Sequence, residues 1–103
     1  MEQAKDAYIY LIYNGEQTKI GVSVNVDKRL KTLQTGSASK LSLLRKYKIG
    51  DSGLAYRLEK QLHKMFFQSR CRHNGEWFEL TNLHITVLDE WLTSILEKQN
   101  SIA

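Results

Sequence analysis

The chain has 103 residues, 42% of them hydrophobic and 25% charged, which is enough for one ordinary hydrophobic core that needs neither disulfide nor structural metal to be stable. The lone Cys71 excludes an internal disulfide, and the polar N-terminus from Met1 to Ala7 and the short apolar run from Tyr8 to Tyr13 exclude a signal peptide and a membrane span; a cytoplasmic setting is expected. The net charge of +4 hides an asymmetry, because thirteen basic residues stand against three carboxylates between Gln17 and Arg72, and a polyanion is the natural partner of such a segment.

Tyr8-Ile9-Tyr10-Leu11-Ile12-Tyr13 consists of Leu, β-branched and aromatic residues and reads as a strand buried on both faces. Asn14-Gly15 supplies a turn, and Thr18 to Val22 returns antiparallel to the first strand. Period two puts Tyr8, Tyr10 and Ile12 on one face of the first strand and Lys19 and Gly21 on one face of the second. Whether the two faces coincide depends on register. Ser23 or Asn25 caps a helix with Val26, Leu30 and Leu33 at helical spacing and Gly36 as its stop; Arg29 lies on it.

Lys40 to Ile49 reads as a third strand, broken by Gly50-Asp51-Ser52-Gly53. A second helix follows from about Leu54 to Gln68, with Leu58, Leu62, Met65 and Phe66 as its apolar stripe and Glu59 four residues before His63. Arg70 to Gly75 is a polar basic loop, and Glu76 to Leu80 is a short extended piece with two large aromatics. Thr81 or Asn82 caps a closing helix over about 82–97, whose inner face is traced by Leu83, Val87, Leu88, Trp91, Leu92 and Ile95. The expected architecture is α+β, one domain over 1–103 with a small antiparallel three-stranded sheet flanked by helices.

In these elements Tyr8-Ile9-Tyr10, Lys19-Ile20-Gly21, Arg29, Glu59 with Leu62-His63, and Gly75-Glu76-Trp77-Phe78 follow one another. In that order the chain resembles the GIY-YIG nuclease superfamily over residues 8–80, and within it the branch typified by a phage T5 open-reading-frame domain. Two positions depart from the name-giving motif, Tyr8 for its first glycine and Lys19 for its second tyrosine. Some restriction enzymes of the superfamily are similar in carrying lysine there.

The resemblance implies a metal-dependent DNA endonuclease of phage or bacterial type, with Tyr10, Lys19, Arg29, His63 and Glu76 as catalytic residues and Tyr8, Gly21 and Glu59 as parts of the structural motif. Glu76 would hold Mg²⁺ or Mn²⁺, hard cations that keep most of their waters and need few carboxylates. Arg29 would grip the phosphate with its permanently charged fork. Tyr10 is the expected base, assisted by Lys19, although both groups ordinarily titrate near 10.

Lys28, Lys31, Lys40, Arg70 and Arg72 are expected to contact DNA, with specificity supplied by a homodimer or a larger assembly. The alternative expectation is a catalytically silent nucleic-acid-binding domain of the same fold. Taken singly these residues have plainer readings: Tyr10 as strand core, Lys19 as a solvated strand lysine, Glu59 and His63 as an unremarkable helix pair. Cys71 and His73 with His63 lack the second half of a zinc site.

Overall fold

A computed structural model describes residues 5–69 and 76–101. The hairpin lies at its centre, β1 (Ala7–Tyr13) pairing antiparallel with β2 (Thr18–Ser23). Asn14 closes the turn with its side chain, which accepts from the backbone N–H groups of Glu16 and Gln17, and Gly15 supplies the positive φ of 102° that the turn needs. α1 (Val26–Thr35) starts at Asn25 rather than Ser23: the Asn25 side chain accepts from the Lys28 N–H at 3.0 Å, and Gly36 ends the helix. After β3 (Ser42–Gly50), the Asp51 carboxylate caps α2 (Ser52–Met65) through the Leu54 N–H.

The sheet has four strands, not three. The extended piece after Glu76 is a two-residue strand, β4 (Trp77–Phe78), which pairs antiparallel with Thr18 and Lys19 and gives the order β3-β1-β2-β4. So short a segment carries no periodicity, and its pairing with β2 depends on where α2 returns the chain. α2 stops at Met65, three residues before the expected end, and a 3₁₀ turn covers Phe67–Ser69.

Alternation along β1 builds two apolar layers. Ala7, Ile9 and Leu11 face one way, into a core completed by Ala55, Leu58, Leu62 and Phe66 of α2 and by Leu88 and Leu92 of α3 (Asn82–Ser101). Tyr10 and Ile12 face the other way, against Val26 of α1 and Leu41. This explains why the first strand is apolar at nearly every position: it is central and covered on both sides. Each of its large side chains contributes about 1.5–3 kcal/mol by burial. A bulge leaves Leu44 unpaired between Leu43 and Arg45, so that Leu44 and Tyr47 both pack on the α2–α3 core.

The buried face of α3 keeps Leu88, Trp91, Leu92 and Ile95 of the expected stripe but not its other two residues. Thr81 caps the helix, accepting from the His84 N–H, but Leu83 and Val87 are 70% and 43% exposed, while Ile85, Leu88, Leu92, Ile95 and Leu96 pack inward. The docking of Asp89 against β3 sets that rotation: its carboxylate takes the Tyr47 hydroxyl and the Arg45 Nε. Met65 of α2 is likewise exposed, and Ala55 takes its place in the apolar stripe. No described helix is long and apolar enough to cross a membrane.

Candidate active site

The register decides what the sequence leaves open: Tyr10 pairs with Gly21 and Ile12 with Lys19, so Tyr8, Tyr10, Lys19 and Gly21 share the sheet face that α1 covers. Gly21 is needed there. A Cβ on it would lie 2.3 Å from the Tyr10 hydroxyl and 2.4 Å from the ring carbon bearing it, so the phenol occupies the space a side chain would fill. The Tyr10 ring is 1% exposed and reaches across β2 to Arg29 on the first turns of α1, whose guanidinium donates to the phenol oxygen.

Tyr10, Gly21 and Arg29 line a cleft of about 460 Å³ together with Ser52, Tyr56 and Glu59 of α2 and Glu76 ahead of β4. Lys19 stands just behind that wall. Its ammonium is buried, with 8% of the side chain exposed, lies 5.6 Å from the Trp77 ring, and forms an ion pair with the Oε2 atom of Glu76, which is about half exposed. Two oppositely charged residues 57 positions apart in the chain thus become one unit, a pairing that no local pattern could reveal.

Burial dominates the titration of the cleft. It pushes the Tyr10 phenol above its ordinary value despite the hydrogen bond and charge of Arg29, so the hydroxyl keeps its proton at neutral pH. Arg29 does favour the phenolate, but desolvation is the larger effect, which counts against Tyr10 as the base. The Arg29 guanidinium is pushed up in turn, first by its bond to Tyr10.

Glu59 is pushed up by burial and then by the negative charge of Glu76, with Lys19 opposing. Its folded-state pKa lies above its unfolded one, so ionised Glu59 costs stability at neutral pH, and that cost disappears once both states are protonated at low pH. Glu59→Gln is therefore expected to raise the melting temperature at pH 7, with the gain vanishing below about pH 4. Thermal melts across pH would check this; an unchanged or lowered value at pH 7 would mean the charge is compensated.

Other expected site residues fall elsewhere. His63 does not line the cleft: its Nε2–H donates to the Ile20 carbonyl at 3.0 Å and its ring stands edge-on to Phe78 at 5.0 Å, so it ties α2 to β2 and β4. Tyr8 is half-buried beneath the Lys46 ammonium at 5.2 Å. Lys28, Lys31 and Lys40 are exposed. Arg70 and Arg72, like Cys71, His73 and Gly75, lie outside the described residues. Among those described, no three His, Cys, Asp or Glu side chains gather as a metal-holding group. Glu76 and Glu59 nevertheless offer hard oxygen donors to one cleft, and a small divalent cation bound there would relieve their mutual repulsion.

Neither the comparison with curated proteins nor that with solved structures gave a match. The T5orf172 domain, a family related to GIY-YIG-like nucleases, matches residues 7–96, from the first residue of β1 to near the end of α3. With most of its length matched, and with every cleft residue inside the match, the chain belongs to the T5orf172 domain family.

Proposed function

We propose that this chain is a metal-dependent endonuclease of the GIY-YIG superfamily that hydrolyses DNA phosphodiester bonds. One observation carries the reading: Tyr10, Arg29, Glu59 and Glu76, from four separate parts of the chain, meet at one cleft with Lys19 holding Glu76 from behind. Hydrolysis forms a bond from phosphorus to a water oxygen and breaks the bond to a deoxyribose oxygen. One proton leaves the water and one reaches the departing oxygen, and charge on the phosphate must be neutralised meanwhile.

Arg29 supplies the fixed cation, held in place by the Tyr10 oxygen. Tyr10 holds its own proton at neutral pH and can give it in a hydrogen bond to a phosphate oxygen or a water; as a base it would have to overcome its burial. Lys19, with its ammonium engaged by Glu76, acts as a positioning residue for that carboxylate. Glu76, with Glu59 beside it, would hold Mg²⁺ or Mn²⁺, which when bound activates water and polarises the phosphate.

The second reading, a silent nucleic-acid-binding domain, is favoured by one specific observation: the ammonium of Lys19 already engages the carboxylate that would hold the metal. Plasmid DNA incubated with the purified chain and Mg²⁺ or Mn²⁺, against an EDTA control, separates the two. Glu76→Gln is the better variant, since Glu76→Ala leaves buried Lys19 without its partner and costs about 1–3 kcal/mol in folding. Nicking that requires metal and falls at least about 10²-fold in Glu76→Gln is expected. Intact plasmid under every metal, with salt-sensitive binding retained, would move the assignment to the silent domain.

A further inference from the structure

The link from β2 to α1 is tightly fixed: the Ser23 hydroxyl oxygen accepts from the Asn25 N–H at 3.0 Å, and the Asn25 side chain accepts from the Lys28 N–H. Beside this link runs a second groove of about 330 Å³, lined by Lys5, Ser23, Asn25, Lys28, Arg29 and Thr32. It shares Ser23, Val24 and Arg29 with the cleft, so the two are continuous through the Arg29 side chain. Their charges are opposite in kind. The cleft is lined by the carboxylates Glu59 and Glu76, whereas no carboxylate among the described residues lines the groove.

Among the described residues Lys5 and Lys28 have no salt-bridge partner, unlike Lys19 with Glu76, Arg45 with Asp89 and Lys48 with Asp6. Two unpaired ammonium groups around a recess, with hydroxyl and amide groups between them, suit a phosphate oxyanion. Lys31 and Lys40 line neither recess. This separates Lys28 from the rest of the basic surface and joins it to Lys5, which the motif order does not include.

We infer that this groove is a subsite for the phosphate adjacent to the scissile one on the substrate strand, Lys5 and Lys28 neutralising it while Arg29 spans both phosphates. The inference rests on the nuclease reading of the cleft. It makes Lys5 and Lys28 positioning residues: they set how far the strand is drawn past Arg29, and so which bond stands at Glu76.

The test is binding of the full chain to a DNA duplex in EDTA, where nothing is cut, followed across salt concentrations for wild type, for Lys5→Ala with Lys28→Ala, and for Lys64→Ala on α2. Losing one phosphate contact should flatten the salt slope by about 0.9 and weaken binding roughly three- to tenfold near 0.1 M salt, with Lys64→Ala unchanged. With metal, an uncharged methylphosphonate at one of the two linkages beside the cut should slow wild type but leave the double variant's already reduced rate unchanged.

A double variant with wild-type slope and affinity would overturn the subsite while leaving the nuclease reading intact. Wild type that binds but never cuts would end the nuclease reading, and the slope comparison would still decide the groove. Wild type that does not bind DNA would remove both.

Discussion

Arg29→Ala is expected to lower metal-dependent DNA cleavage by about 10²–10³-fold, the usual cost of deleting one fixed donor to developing transition-state charge. The fold should largely survive. Arg29 is on an exposed stretch of α1, and its one described anchor is the phenol of Tyr10. Removing it leaves a buried hydroxyl without its donor, a loss of about 1 kcal/mol, or roughly 4–8 °C in melting temperature for a domain of this size.

Arg29→Lys separates charge from geometry: the ammonium keeps the charge but cannot offer the planar fork, so its rate should fall between wild type and Arg29→Ala. Single-turnover cleavage of a defined duplex with thermal melts on the same samples gives both quantities. Arg29→Ala cutting at the wild-type rate would remove the guanidinium from the mechanism.

Gly21→Ala should destabilise the chain strongly, against the ordinary sign of such a change. On backbone grounds alone, alanine in a strand is more stable than glycine by about 0.5–1 kcal/mol. Here the new methyl group would fall 2.3 Å from the Tyr10 oxygen and 2.4 Å from its ring carbon, and the ring, 1% exposed with Ile12, Val26 and Leu41 as its core neighbours, has little room to withdraw. Overpacking of this kind costs about 1–3 kcal/mol, occasionally more, and any shift of the phenol also draws it away from Arg29.

A double-mutant cycle isolates the clash. With Tyr10→Ala as background, Gly21→Ala should be neutral or slightly stabilising. With Tyr10→Phe the penalty should persist, because the ring carbon stays in place. Denaturant unfolding of the six combinations would settle the matter, and equal penalties with and without the Tyr10 ring would show that the close approach is not the reason for glycine here.

The hairpin, the three helices, the third strand and the order of the matched motifs were legible in the sequence because each rests on a local signal. Tyr8 to Tyr13 is apolar throughout since β1 is covered on both sides, Asn14-Gly15 makes a turn, and the stripe of Leu58 and Leu62 has helical period. Three things were settled only by tertiary structure. Period two orders side chains within a strand but says nothing of registry between strands; the pairing of Tyr10 with Gly21 is what puts phenol, glycine and Lys19 on one face.

Helical period admits neighbouring apolar faces on α3, and the hydrogen bond from Tyr47 to Asp89 fixes the one that leaves Leu83 and Val87 outside. The motif order made Lys19 and Glu76 separate candidates; the antiparallel addition of Trp77 and Phe78 to β2 made them one ion pair. Local order determines which elements form, while long-range pairing energy, which no short window of sequence contains, decides which side chains meet.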